Sequence, residues 1–472
     1  MRFIYIDLIL LFIFSISVGI FLYKKRKKIK VESKIFVLYR TKTGIKFINN
    51  FSKKFSKFLH FLSWFIIMFG ITAMFAAIFL FYLSIKQLIN MATVLKVPPL
   101  MPLVPYLPQI FKLPLPPFYF SYWILIILII AITHEFAHGI FASLYNLKIK
   151  STGFGFLGPF LAAFVEPDEK AMRKKKPKQQ LTILAAGSFS NFVFAIIFLL
   201  ILQFFFHLCY QPAGVIGYIY TFQPINTTTI ENISNYSLES FLDLNEKELQ
   251  NVFNKTETGL LEVKTKNNET YYLTLELALL AKQSKNKINQ IIVYQDTPAL
   301  KANLSGAIQK IDDIEIKTIT DINKAIKKHK PGDVITVQTN EKKYLITLTE
   351  HPQNKSLGYL GIGFPTLKGL NLFIAKISSP FFSPYTYASP KFNKDLLTFI
   401  RDLLFWLIII SFSVAIINML PFTFLDGGRF IYIAVLGLTK SKKIAETIFK
   451  IAAFIVLLIL LILTIVWFLR II

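Results

Sequence analysis

Cysteine is almost absent from this chain of 472 residues. Cys209 stands alone, so neither an intrachain disulfide nor a thiolate cage for a metal is available. Any metal held here must use nitrogen and oxygen ligands. Acidic residues are also scarce: 27 Asp and Glu stand against 53 Lys and Arg, a formal net charge of +26. That excess of base does not describe a nucleic-acid surface, because the cations sit in short runs beside apolar segments rather than along one polar, aromatic-interleaved stripe. No nucleic-acid partner is expected. A composition suited to water is missing too. The chain is 54% hydrophobic with 48 Phe, and its mean hydropathy of +0.53 exceeds that of an ordinary soluble domain. Its solvent is mostly the lipid bilayer.

Crossing a hydrocarbon core of about 30 Å takes roughly 20 apolar residues. Six stretches have that length: Phe3 to Tyr23, Phe61 to Tyr82, Tyr122 to Tyr145, Leu181 to Phe206, Leu403 to Leu420 and Ile448 to Leu469. The expected fold class is a polytopic α-helical membrane protein with about six transmembrane helices. Only Arg2 precedes the first stretch, KKRKKIK (24–30) follows it, and no small-residue cleavage site intervenes, which favours an uncleaved anchor over a secretory signal.

Basic runs prefer the cytoplasmic side, so 24–30 puts the amino terminus outside, and RKKKPK (173–178) and KSKK (440–443) then also fall on cytoplasmic loops. The expected localisation is the cell membrane, with the long polar segment from about 210 to 395 facing out. Asn-x-Ser/Thr triplets at Asn226, Asn232, Asn235, Asn254, Asn268, Asn303 and Asn354 suit glycosylation of such a segment, although an Asn-rich stretch also produces them by chance. Eight prolines in residues 98–117 forbid a regular helix there. The segment is either an external interfacial flap or a plain connector between spans.

The third span reads ITHEFAHGI. His134 and His138 are four apart, so on a helix both imidazoles leave one face, with Glu135 beside them. In the zincin spacing two histidines bind zinc. The glutamate takes a proton from water whose pKa the metal lowers from about 15.7 to about 7, then passes it to the leaving amine. The competing reading is a buried polar cluster. Three ionisable groups within five residues of an apolar span, however, carry a desolvation cost of several kcal/mol unless paired or ligated. His60, His207, His329 and His351 have no companion at ligand spacing and read as surface or interfacial residues.

A catalytic zinc needs a third protein ligand and an open position. The fifth span ends in NMLPFTFLDGGRF, where Asp426 precedes two glycines that break the helix and admit close backbone approach. Asp426 either completes the metal sphere or caps a helix starting near Arg429. The ten residues from His138 to Lys148, the first charge beyond it, span about 15 Å if helical, which places the site inside the bilayer toward its cytoplasmic half.

With these pieces assembled, the chain resembles the site-2 protease family, zinc metalloproteases that cut within transmembrane helices. Four motifs carry the resemblance, in the family's order: HEFAH (134–138), GPFLAAFVEPDE (158–169), AAGSFSNF (185–192) and NMLPFTFLDGG (418–428). It implies one Zn2+ per chain, Asp426 as the third ligand, Glu135 as the general base, and a transmembrane protein or peptide as substrate. It also implies that Asn191 and Asn418 handle the substrate or its scissile backbone. Interhelical hydrogen bonding, worth about 1 kcal/mol, is their competing role. The stretch STGFGFLGPFLAAFV resembles the family's re-entrant β-hairpin beside the zinc, which makes Gly158 and Pro159 further substrate-binding candidates. An extended edge there would hold an unwound substrate as an added strand.

Residues 290–366 contain TPALKANLSGAIQKIDD, a helical TDINKAIKK and the hairpin pattern GDVITVQTNEKKYLITLTE. That order resembles the extracytoplasmic PDZ domain inserted in many site-2 proteases, although LSGAIQKIDD lacks the Gly-Asp that commonly follows the leucine. An earlier echo, GLLEVKTKNNETYYLTLEL behind LNEKELQNVF, makes 208–289 a candidate first PDZ-like unit. Residues 367–380 look amphipathic, within a linker of 367–397. The remaining expected divisions are 1–120, two helices with a basic loop and the Pro-rich segment, and 121–207 and 398–472, the two parts of a catalytic membrane core.

Two other functions compete with this one. A membrane zincin of the prenyl-protein protease type needs a glutamate in spans four to six, and those spans hold none. A catalytically inactive relative would serve as a membrane receptor or scaffold through its PDZ-like domain, a reading opposed by intact His134, Glu135, His138 and Asp426. No motif speaks to the oligomeric state.

Overall fold

The computed structural model describes residues 2–26, 29–32, 36–90, 101–111, 113, 115–157, 160–256, 258–283 and 289–471; Gly158 and Pro159 lie outside the described residues. The chain divides into two compact units, Met1–Leu202 with Asp395–Ile472, and Gln203–Lys394.

The first unit opens with α1 (Arg2–Lys25), β1 (Ile29–Glu32), β2 (Phe36–Thr41), the amphipathic α2 (Ile45–Lys54) and α3 (Ser56–Asn90). The Pro-rich segment yields a single helical turn, α4 (Leu107–Ile110), as its missing donors dictate. α5 (Phe120–Leu144) carries HEFAH, and β3 (Ile149–Leu157), β4 (Phe160–Pro167), the short α6 (Glu169–Met172) and α7 (Pro177–Cys209) follow. β3 and β4 pair as an antiparallel hairpin. The basic stretch after α1 also contributes strands, which its charge pattern conceals. β1 pairs with β2 and β2 with β3, so the sheet runs β1-β2-β3-β4 with β4 on its edge.

The second unit holds two cores. Its chain runs through β5 (Tyr210–Val215), β6 (Ile219–Tyr220), β7 (Phe222–Asn226), β8 (Ile230–Ile233), α8 (Leu238–Asp243), α9 (Glu246–Asn254), β9 (Leu261–Thr265), β10 (Thr270–Leu273), α10 (Leu275–Gln283) and β11 (Gln290–Gln295). β7 to β11 form one sheet, ordered β7-β11-β10-β9-β8, over a core that includes Ile233, Leu249, Val263, Leu273 and Val293. Next come α11 (Pro298–Lys301), β12 (Ile308–Ile311), β13 (Ile314–Glu315), α12 (Ile319–Ile326), β14 (Val334–Thr339), β15 (Lys343–Thr347), β16 (Thr349–His351), β17 (Asn354–Tyr359), β18 (Ile362–Gly363), α13 (Gly369–Ser378) and β19 (Thr386–Pro390).

This later sheet is ordered β15-β14-β12-β5-β19, and β6 pairs with β18. The later module is therefore opened by β5 and β6 and interrupted by the β7–β11 sheet, to which residues 290–295 belong as β11. Both hairpins legible in the sequence are present, β9 with β10 and β14 with β15, and inward residues alternate along them as a half-buried strand requires. α9 and α12 each start on a capping box, Asn245 with Glu248 and Thr318 with Asp321.

The chain closes in the first unit with α14 (Lys394–Ile417), α15 (Asp426–Thr439) and α16 (Lys442–Ile471). Among the described residues, six helices are long and apolar enough to cross a membrane: Phe3–Lys25, Ser56–Lys86, Phe120–Leu144, Pro177–Cys209, Lys394–Ile417 and Lys442–Phe468. Each overlaps one of the six apolar stretches. Large side chains such as Phe12 and Phe75 are left facing outward, a surface that lipid covers at no hydrophobic cost.

The start of α5 is held from another helix. Tyr119, at its N-cap position, supplies no side-chain cap. Fully buried Asp7 of α1 does so instead, accepting the N–H groups of Phe120 at 2.7 Å and Ser121 at 2.9 Å, and the Tyr106 hydroxyl at 2.6 Å. The Trp123 indole donates to the Leu103 carbonyl at 2.8 Å and the Trp406 indole to the Pro117 carbonyl at 3.1 Å. The described part of the Pro-rich segment is thus fastened to α1, α5 and α14.

Candidate metal centre

One turn of α5 separates His134 from His138, and their Nε2 atoms lie 3.1 Å apart. Asp426 Oδ2 is 3.2 Å from the first and 3.3 Å from the second, across 292 positions of sequence from His134. With both imidazoles neutral, the arrangement leaves acceptors facing one another. With His138 Nδ1 at 2.6 Å from the Ile183 carbonyl, a neutral His138 donates there and turns a lone pair to the centre. Its Nε2 and the Asp426 oxygen then face each other as two acceptors. A cation among the three resolves the conflict. Three ligands at about 2.0–2.1 Å from a tetrahedral zinc stand roughly 3.3 Å from one another, and the observed edges fit that size. Among the described residues this is the one group of three or more His, Cys, Asp or Glu so placed.

Local structure puts Asp426 there. α15 begins on Asp426 itself, with Leu425 at the N-cap position, rather than near Arg429 as anticipated. The carboxylate is not a cap; it turns to the two histidines. The glycines after it admit the chain that leads in: a Cβ on Gly427 would lie 2.2 Å from the Met419 carbonyl oxygen, and one on Gly428 2.1 Å from that of Phe422. Gly427 N–H donates to the Asn418 carbonyl at 2.8 Å, closing the loop. The Arg429 guanidinium meets Glu169 at 3.2 Å, tying α15 to the turn after β4.

α7 packs a single face against this pair. Ile183, Gly187 and Asn191 are spaced at four and then four, so they stack along one side of the helix. The Ile183 carbonyl orients His138, and the Asn191 amide nitrogen lies 3.0 Å from His134 Nδ1. Between them Gly187 leaves room for the rings. A Cβ there would stand 2.4 Å from His138 Nε2 and 2.6 Å from His134 Nε2.

Glu135 reaches the other way. Its Oε2 accepts the Val165 N–H at 2.9 Å, so the carboxylate is held by the open edge of β4. At the base of the hairpin, the Ser151 hydroxyl bonds Glu166 at 2.6 Å and Arg40 meets it at 3.2 Å. Those contacts, Ser151 foremost, hold the Glu166 carboxyl below the usual carboxylate range. A cleft of ≈ 270 Å³ collects His134, Glu135, Ala163, Asn191, Asn418 and Leu103 on its walls.

The four residues singled out for chemistry are therefore neighbours, and both candidate asparagines line the same cleft. Ile183, Gly187 and Val165 carry no side-chain functional group and escaped a reading based on side chains. The spacing of Gly187 and Asn191 was the available signal, since it places a gap and an amide on one helical face. Among known proteins, the profile of Peptidase family M50 matches residues 122–463, over two thirds of the chain and all of the cleft's helical residues. No curated protein matches the sequence. The matched stretch spans HEFAH, the glycine and asparagine of α7 and the Asp426 loop, and the chain belongs to Peptidase family M50, the site-2 protease family of membrane-embedded metallopeptidases.

Proposed function

We propose that this protein is a zinc-dependent intramembrane endopeptidase, hydrolysing a peptide bond within or near the transmembrane helix of membrane-protein substrates. The observation that carries the reading is the triangle of His134, His138 and Asp426, whose His134 lines one cleft with Glu135 and with Ala163 of the edge strand β4. His134, His138 and Asp426 would hold one zinc ion, which when bound supplies Lewis acidity to polarise a carbonyl and acidify water.

The remaining steps belong to the chain's own groups. Glu135 takes the proton of the attacking water and delivers it to the leaving amine. Val165 N–H keeps one carboxylate oxygen in place while the other carries the proton. The outward N–H of Val165 marks the unpaired side of β4. By alternation Ala163 and Leu161 present their N–H and C=O groups on that same side. An unwound substrate segment adds there as a strand, and its exposed carbonyls become available for attack. Asn418, which lines the same cleft, would hold the substrate backbone.

The basic runs support an orientation with the amino terminus and residues 210–395 outside and the zinc in the cytoplasmic half of the bilayer. The hairpin of β3 and β4 then re-enters the membrane from the cytoplasmic side. The β12, α12, β14, β15 order supports a PDZ-like reading of residues 290–366, acting as a peptide reader or as a filter on the external bulk of substrates.

The test is cleavage of a model transmembrane substrate by the purified wild type and by Glu135→Gln, with zinc measured in both. Lost cleavage with zinc retained is the expected result; full cleavage by Glu135→Gln overturns the mechanism.

A further inference from the structure

Asn191 is fully buried, and its Oδ1 has no hydrogen-bond partner among the described residues, while its Nδ2 lies 3.0 Å from His134 Nδ1. In this orientation the amide donates to an unprotonated Nδ1. A neutral imidazole carries one proton, which then sits on Nε2 and points into the triangle of His138 and Asp426. That tautomer cannot bind a metal. The partner histidine is in the opposite condition, since His138 gives its Nδ1 proton to the Ile183 carbonyl at 2.6 Å and keeps Nε2 free.

A half-turn of the Asn191 amide removes the tautomer conflict. It brings Oδ1 to the 3.0 Å position, where it accepts Nδ1–H and frees the His134 Nε2 lone pair, while Nδ2 takes the position that Oδ1 held. Gly187, one turn earlier, leaves that face of α7 without a side chain to obstruct the rings.

We infer that Asn191 is a positioning residue for the metal: its amide oxygen fixes the metal-binding tautomer of His134, as the Ile183 carbonyl does for His138. This rests on the zinc reading above and assigns Asn191 to the ligand rather than to the substrate. Acceptors that orient a ligating imidazole typically contribute 10–100-fold to metal affinity. Asn191 is the only side chain among the described residues assigned that work here, because the other acceptor is a main-chain carbonyl.

The experiment is competition for zinc between a fluorescent chelator and the full-length protein in detergent, comparing the wild type, Asn191→Asp and Asn191→Leu. Asp keeps an acceptor at Nδ1 and loses the donor; Leu removes both. Asn191→Leu is expected to bind zinc about 10–100-fold more weakly, and Asn191→Asp to stay within about threefold of wild type. Thermal unfolding of the chelator-treated proteins shows that both are folded, and Asn191→Ser, too short to reach Nδ1, replaces a Leu variant that is not. Wild-type affinity in Asn191→Leu overturns the inference, as a residue that only handles substrate leaves zinc affinity unchanged. Asp binding as weakly as Leu also overturns it, since donation would then be what matters. If the wild type itself binds zinc no better than His134→Ala, the metal reading falls first, and the two failures are told apart.

Discussion

Glu135 on α5 accepts the Val165 N–H of β4 at 2.9 Å, so the candidate general base is tied to the strand edge that would receive the substrate. On the proposed mechanism, chemistry and substrate presentation share this one hydrogen bond. Removing that donor without altering the carboxylate separates the two. Val165→Pro deletes the N–H on an edge strand, a position where proline is tolerated. Cleavage is expected to fall by at least about tenfold, within the range that general-base placement contributes, while bound zinc stays at the wild-type level. Turnover of a labelled transmembrane peptide and metal analysis of the same sample check this; unchanged turnover would remove Val165 from the mechanism.

Gly187→Ala pits local propensity against the site. Alanine is the better helix former by about 1 kcal/mol, so α7 itself should gain. The added methyl would stand 2.4 Å from His138 Nε2 and 2.6 Å from His134 Nε2. The rings must move off the triangle. The expected outcome is a folded protein holding well below one zinc per chain, read by metal analysis beside the unfolding midpoint of the chelator-treated form.

Gly428→Ala tests the other half of the centre. Its Cβ would meet the Phe422 carbonyl oxygen at 2.1 Å, and backbone cannot rotate aside as a flexible side chain can. The 418–425 loop must shift, at a cost of about 1–3 kcal/mol, typical of overpacking. Asp426 shifts with it. Both thermal stability and zinc occupancy should drop, whereas a stability loss with full zinc would show that Asp426 is placed independently of the loop.

Asp7→Ala removes three acceptor contacts that start α5 and anchor Tyr106. Loss of a helix cap costs about 0.5–2 kcal/mol, and a buried hydroxyl left unpaired adds about 1–3 kcal/mol. A lowered unfolding midpoint is expected, with zinc affinity kept because the metal ligands lie several turns down the helix. Tyr106→Phe, which leaves the two N–H contacts intact, should cost less.

Glu166 links pH to the sheet. Its pKa is lowered in the folded state, first by the Ser151 hydroxyl and then by Arg40, so its contribution is present above the unfolded value of 4.5. It is lost as the pH falls through the depressed folded value. Unfolding midpoints measured from pH 7 downward should decline on acidification, and Glu166→Gln should decline less steeply over the same range.

Much of this centre was open to reading from the chain alone, and particular residues show where that ends. The i,i+4 spacing of His134 and His138 is meaningful by itself, because an α-helix fixes the relative direction of two side chains one turn apart. The six apolar lengths are equally self-sufficient, since bilayer thickness sets them whatever the helices touch. The β9–β10 and β14–β15 hairpins follow from period-two alternation around polar turns. By contrast, the strand FVLYRT was hidden beside a basic run. It becomes a strand by pairing with β3, where Arg40 stands opposite Gly153.

Asp426 marks the same division most clearly. From sequence it was either a metal ligand or a cap, two roles with the same local signature. The resemblance favoured the ligand, but no local rule could choose. Long-range packing brings its carboxylate within 3.3 Å of both imidazoles across 292 positions from His134, and starts α15 on the aspartate itself. Asp7 capping a helix 113 residues away, and an amide of α7 set against His134, are of the same kind. The sequence determined the helices, their lipid solvent and one turn of metal chemistry, because those depend on neighbours within a few residues. Tertiary structure alone decided which acid faces that turn and which backbone and amide groups orient it, because those contacts exist only once distant helices pack.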